Sequence, residues 1–150
     1  SAPYSELETQ ILGDWLETNK NAFAYIDYHN FTRAYDSRNG EITTYCISQN
    51  TNLHKIFSSV VRRVSDKWRN KYLSNFADLG NVAYGYLSTE TFPCTINEAR
   101  EVYGIDLSST IEITLSDPNN YYTYYTKPVI ETGVELLANY ILAILDNYKF

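Results

Sequence analysis

Cysteine is scarce: Cys46 and Cys94 are the only two in 150 residues, and no CxxC spacing occurs. That excludes a thiolate-built metal site; the two could pair, but in a chain this long they read as free, buried thiols. Basic charge is also short, with 12 Lys and Arg against 18 Asp and Glu for a net charge of −6. Nucleic-acid binding, which needs a basic face to displace counterions, is therefore not expected. The one basic cluster, RRVSDKWRNK at 62–71, reads as the solvated face of a helix. No apolar run approaches the roughly 18 residues of a membrane span, and the N-terminus has no basic, apolar, small-residue leader pattern. No membrane partner follows, and the compartment stays open. There is no GxSxG elbow, phosphate loop, HExxH or HxxE, so no local motif names a nucleophile or a metal pair. Internal repeats, low-complexity segments and flexible linkers are absent as well.

What is present is apolar and aromatic. A composition of 44% hydrophobic and 20% charged residues suits one globular domain over residues 1–150 with its own core. Tyrosine is in excess, with 15 copies and the densest patch in YYTYY at 121–125. Its apolar ring and hydroxyl suit sheet edges, interfaces and sugar or peptide contacts, and equally a half-buried strand packed on its neighbours. The opening SAPYSELETQ reads as the interior of something longer, so the chain is expected to be a piece of a larger polypeptide.

The periodicities predict an α/β order. Ser5 with Glu8 has capping-box spacing ahead of Ile11, Leu12, Trp15 and Leu16, which recur at helical intervals, and Asn19 to Asn21 end that helix. AFAYIDY follows as a strand, with Asp27 and His29 on one face and Tyr28 on the other. Residues 30–41 are loop-like, and EITTYCIS at 41–48 is a second strand. NTNLHKIFSSVVRRVSDKWRNKYL is a long amphipathic helix with an apolar stripe of Leu53, Ile56, Phe57, Val60, Val61, Val64 and Trp68. His54 on that helix reads as a surface or boundary residue. VAYGYL is a short strand, and INEAREVYG is a short helix closed by Gly104 at its C′ position. IDLSSTIEITL is a strand, SDPNN a turn, and Val129 to Tyr148 a final helix. The buried face of that helix is read from Val134, Leu137, Ala138, Ile141, Leu142 and Leu145.

Two ionisable residues stand where packing alone does not ask for them: His29 at the C-terminal end of a strand and Glu112 in the middle of one. Ligands of open α/β sheets bind outside the carboxyl ends of strands, which favours His29. The plainer readings are a hydrogen-bonded structural histidine and the polar half of an alternating strand.

Taken in order, the segments resemble the C-terminal half of the catalytic domain of the zinc carboxypeptidase family of metallopeptidases. PYSELETQILGDWL resembles that family's P-F-S-E-x-E-T segment and the helix before its central strand, and AYIDYHNF resembles the strand ending in D-x-H-S. PCTINEAREVYGI resembles its S-G-T-S-x-D-W-A-Y-x-x-G-I segment. TIEITL carries Glu112 where the family has its catalytic Glu, and KPVIETGVELLANYILAIL resembles the approach to its last helix. The likeness covers nearly the whole chain.

The resemblance implies a mixed β-sheet with helices packed on its faces, forming part of a zinc-carboxypeptidase-like domain. It implies His29 as one zinc ligand and Glu112 as the general base and acid of peptide or amide hydrolysis. The resemblance leaves the substrate-binding residues unassigned, with Asn30, Thr95 and Glu98 as the candidates. The departures are as informative. The HxxE ligands and the substrate-clamping Asn-Arg pair have no counterpart, Asn30 replaces the Ser after the histidine, and Cys94-Thr95 replaces Gly-Thr. Tyr84, Tyr86 and Tyr103 are equal candidates for the family's mobile Tyr. Zn2+ is accordingly expected in the complete protein and not tightly held by this chain alone, which would need an upstream half-domain or self-association to cover the surface exposed at the cut. The alternative is a metal-free binding or structural module of a larger surface or phage-tail-like assembly.

Overall fold

The computed structural model describes residues 6–29, 42–72, 84–85, 95–115 and 127–148. Among the described residues four helices and four strands follow in the order α1 Leu7–Thr18, β1 Ala24–His29, β2 Ile42–Ile47, α2 Thr51–Tyr72, β3 Tyr84–Gly85, α3 Thr95–Glu101, β4 Leu107–Leu115 and α4 Lys127–Asn147. The strands form one mixed sheet in the order β1-β4-β2-β3. β4 is interior, parallel to β1 and antiparallel to β2, and β3 is parallel to β2. The chain is thus α/β with a mixed sheet and helices on its faces.

The principal core lies between the sheet and the pair α2 and α4. Leu53, Phe57, Val60, Val61 and Val64 of α2 meet Leu107, Ile111 and Ile113 of β4, Cys46 of β2 and Leu136, Tyr140 and Ile144 of α4. The α2 stripe buries as its three-and-four spacing requires, with Ile56 half-buried; the side chain of Trp68 lies outside the described residues. Phe57 and Tyr140 meet edge to face, with ring centroids 5.3 Å apart at 88°. A smaller cluster of Leu16, Ala99 and Ile105 packs α1 and α3 on the opposite face, with Leu12, Ala22, Tyr25 and Tyr103 around it.

Three readings change. First, α4 buries Leu136, Tyr140 and Ile144, while Val134, Ile141, Leu142 and Leu145 are exposed. The helix is apolar on two sides, and periodicity alone does not say which side meets the sheet. The fit decides: Gly133 lets Tyr28 approach, because a Cβ at 133 would collide with the Tyr28 hydroxyl. Second, His54 is 9% exposed, on the inner side of α2 next to Leu53. Third, α1 buries Leu16 and half-buries Leu12, but leaves Ile11 59% and Trp15 49% exposed. Its N-cap residue is Glu6, with no side-chain cap bond, and Ser5 lies outside the described residues. The helix ends where expected, since the Asn19 side chain donates to the Trp15 carbonyl at 2.8 Å.

The α3 helix also closes as predicted. Gly104 takes φ 74°, a left-handed conformation that only glycine adopts at no steric cost, and Ile105 N–H returns to the Ala99 carbonyl at 2.9 Å. The loops read at 30–41 and in SDPNN, the YYTYY patch and Cys94 lie outside the described residues.

Candidate functional site

β4 alternates apolar and polar residues, yet its polar side is not solvated. Ser108 is 2% and Thr110 7% exposed, because β4 is interior and α3 lies across this face. Burying hydroxyls costs free energy unless they are hydrogen-bonded. Ser108 donates to the Ile105 carbonyl, and Ser48 of the β2–α2 turn donates to the Ser108 carbonyl at 2.6 Å. Ser108 and Thr110 are thus buried where an edge strand would leave them in water. Glu112, further along, is half-buried.

The register of β1 on β4 pairs Tyr25 with Ser108, Asp27 with Thr110 and His29 with Glu112. The two residues singled out from sequence are thus partners on adjacent parallel strands. By the strand alternation, positions 27, 29, 110 and 112 fall on one sheet face, the face opposite the Tyr28 and Ile111 side that packs on α4. The side chain of His29 lies outside the described residues, as does Asn30.

Asp27 joins this face to α3. Thr95, the first residue of α3, donates its hydroxyl to an Asp27 carboxylate oxygen at 3.2 Å. Glu98, one turn further, is held above the usual carboxylate range by burial. Tyr103 is pushed up by desolvation and then by the negative charges of Glu98, Glu17 and Asp14. Thr95 and Glu98 therefore sit on the element that borders the Asp27 position. Tyr86 and the side chain of Tyr84 lie outside the described residues.

The other end of the sheet carries a polar network that the sequence did not announce. Arg100 donates to Gln49 at 2.6 Å and to Asp106 at 3.0 Å, Gln49 donates to Asn97 and Glu101 at 2.9 Å each, and Asn50 donates to Asp106 at 3.0 Å. It ties α3 to the β2–α2 turn and so fixes α3 over β4. None of these residues repeats at a readable interval, since the contacts join positions about fifty apart.

Among the described residues, no three His, Cys, Asp or Glu side chains are gathered as a metal site. Among the described residues no helix is long and apolar enough to cross a membrane. No family model, curated protein or solved structure matches the chain.

Proposed function

We propose that the chain is the C-terminal part of a zinc-dependent, metallocarboxypeptidase-like hydrolase acting on a peptide or amide bond. The observation that carries the reading is the register pair. His29 and Glu112 are 83 positions apart in sequence and stand opposite each other on neighbouring parallel strands. The strand bearing the first ends there, at the carboxyl edge where open sheets bind ligands.

The donor set of this chain fits such a site in part. One imidazole at position 29 suits zinc, but a catalytic zinc takes three protein ligands and keeps a position for water. The remaining ligands would come from outside these 150 residues. A zinc held there would polarise the scissile carbonyl and acidify its water. The Glu112 carboxylate would take the proton from the attacking water and return it to the leaving amine. Asp27 and Thr95 would hold the start of α3 against the β1 tip, and Thr95, Glu98 and Asn30 are the candidates for substrate contact.

The test uses the full natural polypeptide with a panel of peptide and amide substrates. Glu112→Gln keeps the shape of the carboxylate but cannot take up the proton. It is expected to retain metal and to lose hydrolysis by roughly 10²–10⁴-fold. Wild-type turnover in Glu112→Gln would remove Glu112 from the mechanism. A folded wild-type protein that neither holds metal nor hydrolyses any substrate would favour the metal-free binding module.

A further inference from the structure

α4 is built as a crest. Its inner side is buried, while Val134 is 65%, Ile141 37%, Leu142 58% and Leu145 40% exposed on the outer side. Positions 134, 138, 141 and 145 follow the four-three-four spacing of a seam between paired helices, and the small residue Ala138 sits mid-seam. A solvated helix face gains nothing from that pattern.

A groove runs along each flank of the crest. One, about 260 Å³, lies between α4 and β1 and is lined by Phe23, Ala24, Ile26, Ile141 and Ile144. The other, about 280 Å³, lies between α4 and α2, with Arg63 on one wall and Asp146 on the other. A ridge flanked by grooves is the shape that packs against a copy of itself, each ridge entering the other's groove. The charges agree. Among the described residues Lys20–Glu17 and Arg100–Asp106 are ion-paired, and neither Arg63 nor Asp146 is. Across a two-fold axis, a contact between residue i and residue j is made twice, which lets Arg63 of each copy meet Asp146 of the other.

We infer that the α4 crest is a homodimer interface whose partner is a second copy of this chain. A second exposed apolar ridge, Leu7, Ile11 and Trp15 on α1, is the weaker candidate. Its helix carries Glu8, Asp14 and Glu17 with only Lys20 just beyond its end, whereas the α4 flank sets Arg63 of α2 across a groove from Asp146. A contact along one helix and its flanking grooves buries roughly 600–800 Å² per copy, the lower end of the standard range. Area alone does not set the affinity, so association is read over a range of concentrations.

Sedimentation velocity of the full natural polypeptide over a concentration series reads this directly. Wild type is expected to pass from monomer to dimer. Val134→Glu, at a site where the side chain already faces water, should weaken association at least tenfold with unchanged circular dichroism. Ile11→Glu on α1 should leave the dimer intact. Arg63→Asp should weaken it, and Arg63→Asp with Asp146→Arg should restore it. A wild type that stays monomeric into the high micromolar range overturns the inference. So does a dimer that survives Val134→Glu or is lost on Ile11→Glu. The zinc reading stands or falls separately, on metal content and turnover.

Discussion

Gly133→Ala tests the fit that orients α4. In an ordinary helix interior this change stabilises by about 1 kcal/mol, because alanine has the better helix propensity. Here the new methyl would stand where the Tyr28 hydroxyl lies, and the next atoms, Ile113 Cγ2 at 3.5 Å and Tyr28 Cζ at 3.6 Å, are at ordinary contact distance. The clash is therefore with one oxygen. Forcing an extra methyl into a packed site costs about 1–3 kcal/mol. Set against the propensity gain, the net is a loss of up to about 2 kcal/mol, or roughly 4–8 °C in melting temperature for a chain of this size. Removing the oxygen should release the methyl. In a Tyr28→Phe background, Gly133→Ala is expected to be neutral or stabilising by up to about 1 kcal/mol. Urea titrations of the four proteins followed by circular dichroism give the coupling, expected at about 1–3 kcal/mol. A Gly133→Ala protein more stable than wild type with Tyr28 intact would refute this packing of β1 on α4.

Tyr140→Phe takes away a hydroxyl 3.1 Å from Ser109 and 4.0 Å from Cys46 in a fully buried site. Leaving Ser109 without that partner should cost about 1–3 kcal/mol by denaturant midpoint, and adding Ser109→Ala should recover part of it. Cys46, whose thiol is pushed up to about 12 by burial despite its contact with Tyr140, should resist alkylation at neutral pH until the protein unfolds. His54 is held below its ordinary value by burial, partly offset by a backbone hydrogen bond at Ser48. Its folded pKa lies below its unfolded one, so this stability is complete above about pH 6.5 and is lost as pH falls toward the folded pKa. His54→Gln should flatten the acid limb of the stability–pH curve, and an unchanged limb would contradict the burial.

The sequence is most legible where one apolar stripe has one destination. α2 shows a single stripe at helical spacing, and Leu53 to Val64 bury as read. Gly104 likewise states its own conformation. Legibility fails where two answers share one pattern. α4 is apolar on both sides, and its orientation depends on Gly133 meeting Tyr28, a contact between residues more than a hundred positions apart. The polar side of β4 resembles a solvated half-strand, and only its interior place in the sheet makes Ser108 and Thr110 buried. His54 is buried because its helix packs on the sheet next to Leu53, which a local reading of LHKIF does not show. His29 and Glu112 stand out singly in the sequence, and their pairing emerges from the parallel registration of β1 on β4.

The most direct test of the account is the zinc content of the full natural polypeptide, purified without chelator, beside its His29→Ala variant. The account predicts one zinc per chain in the wild type and loss of that zinc in the variant, with both proteins folded. A folded wild type without zinc, or a variant that keeps its full metal, would contradict it.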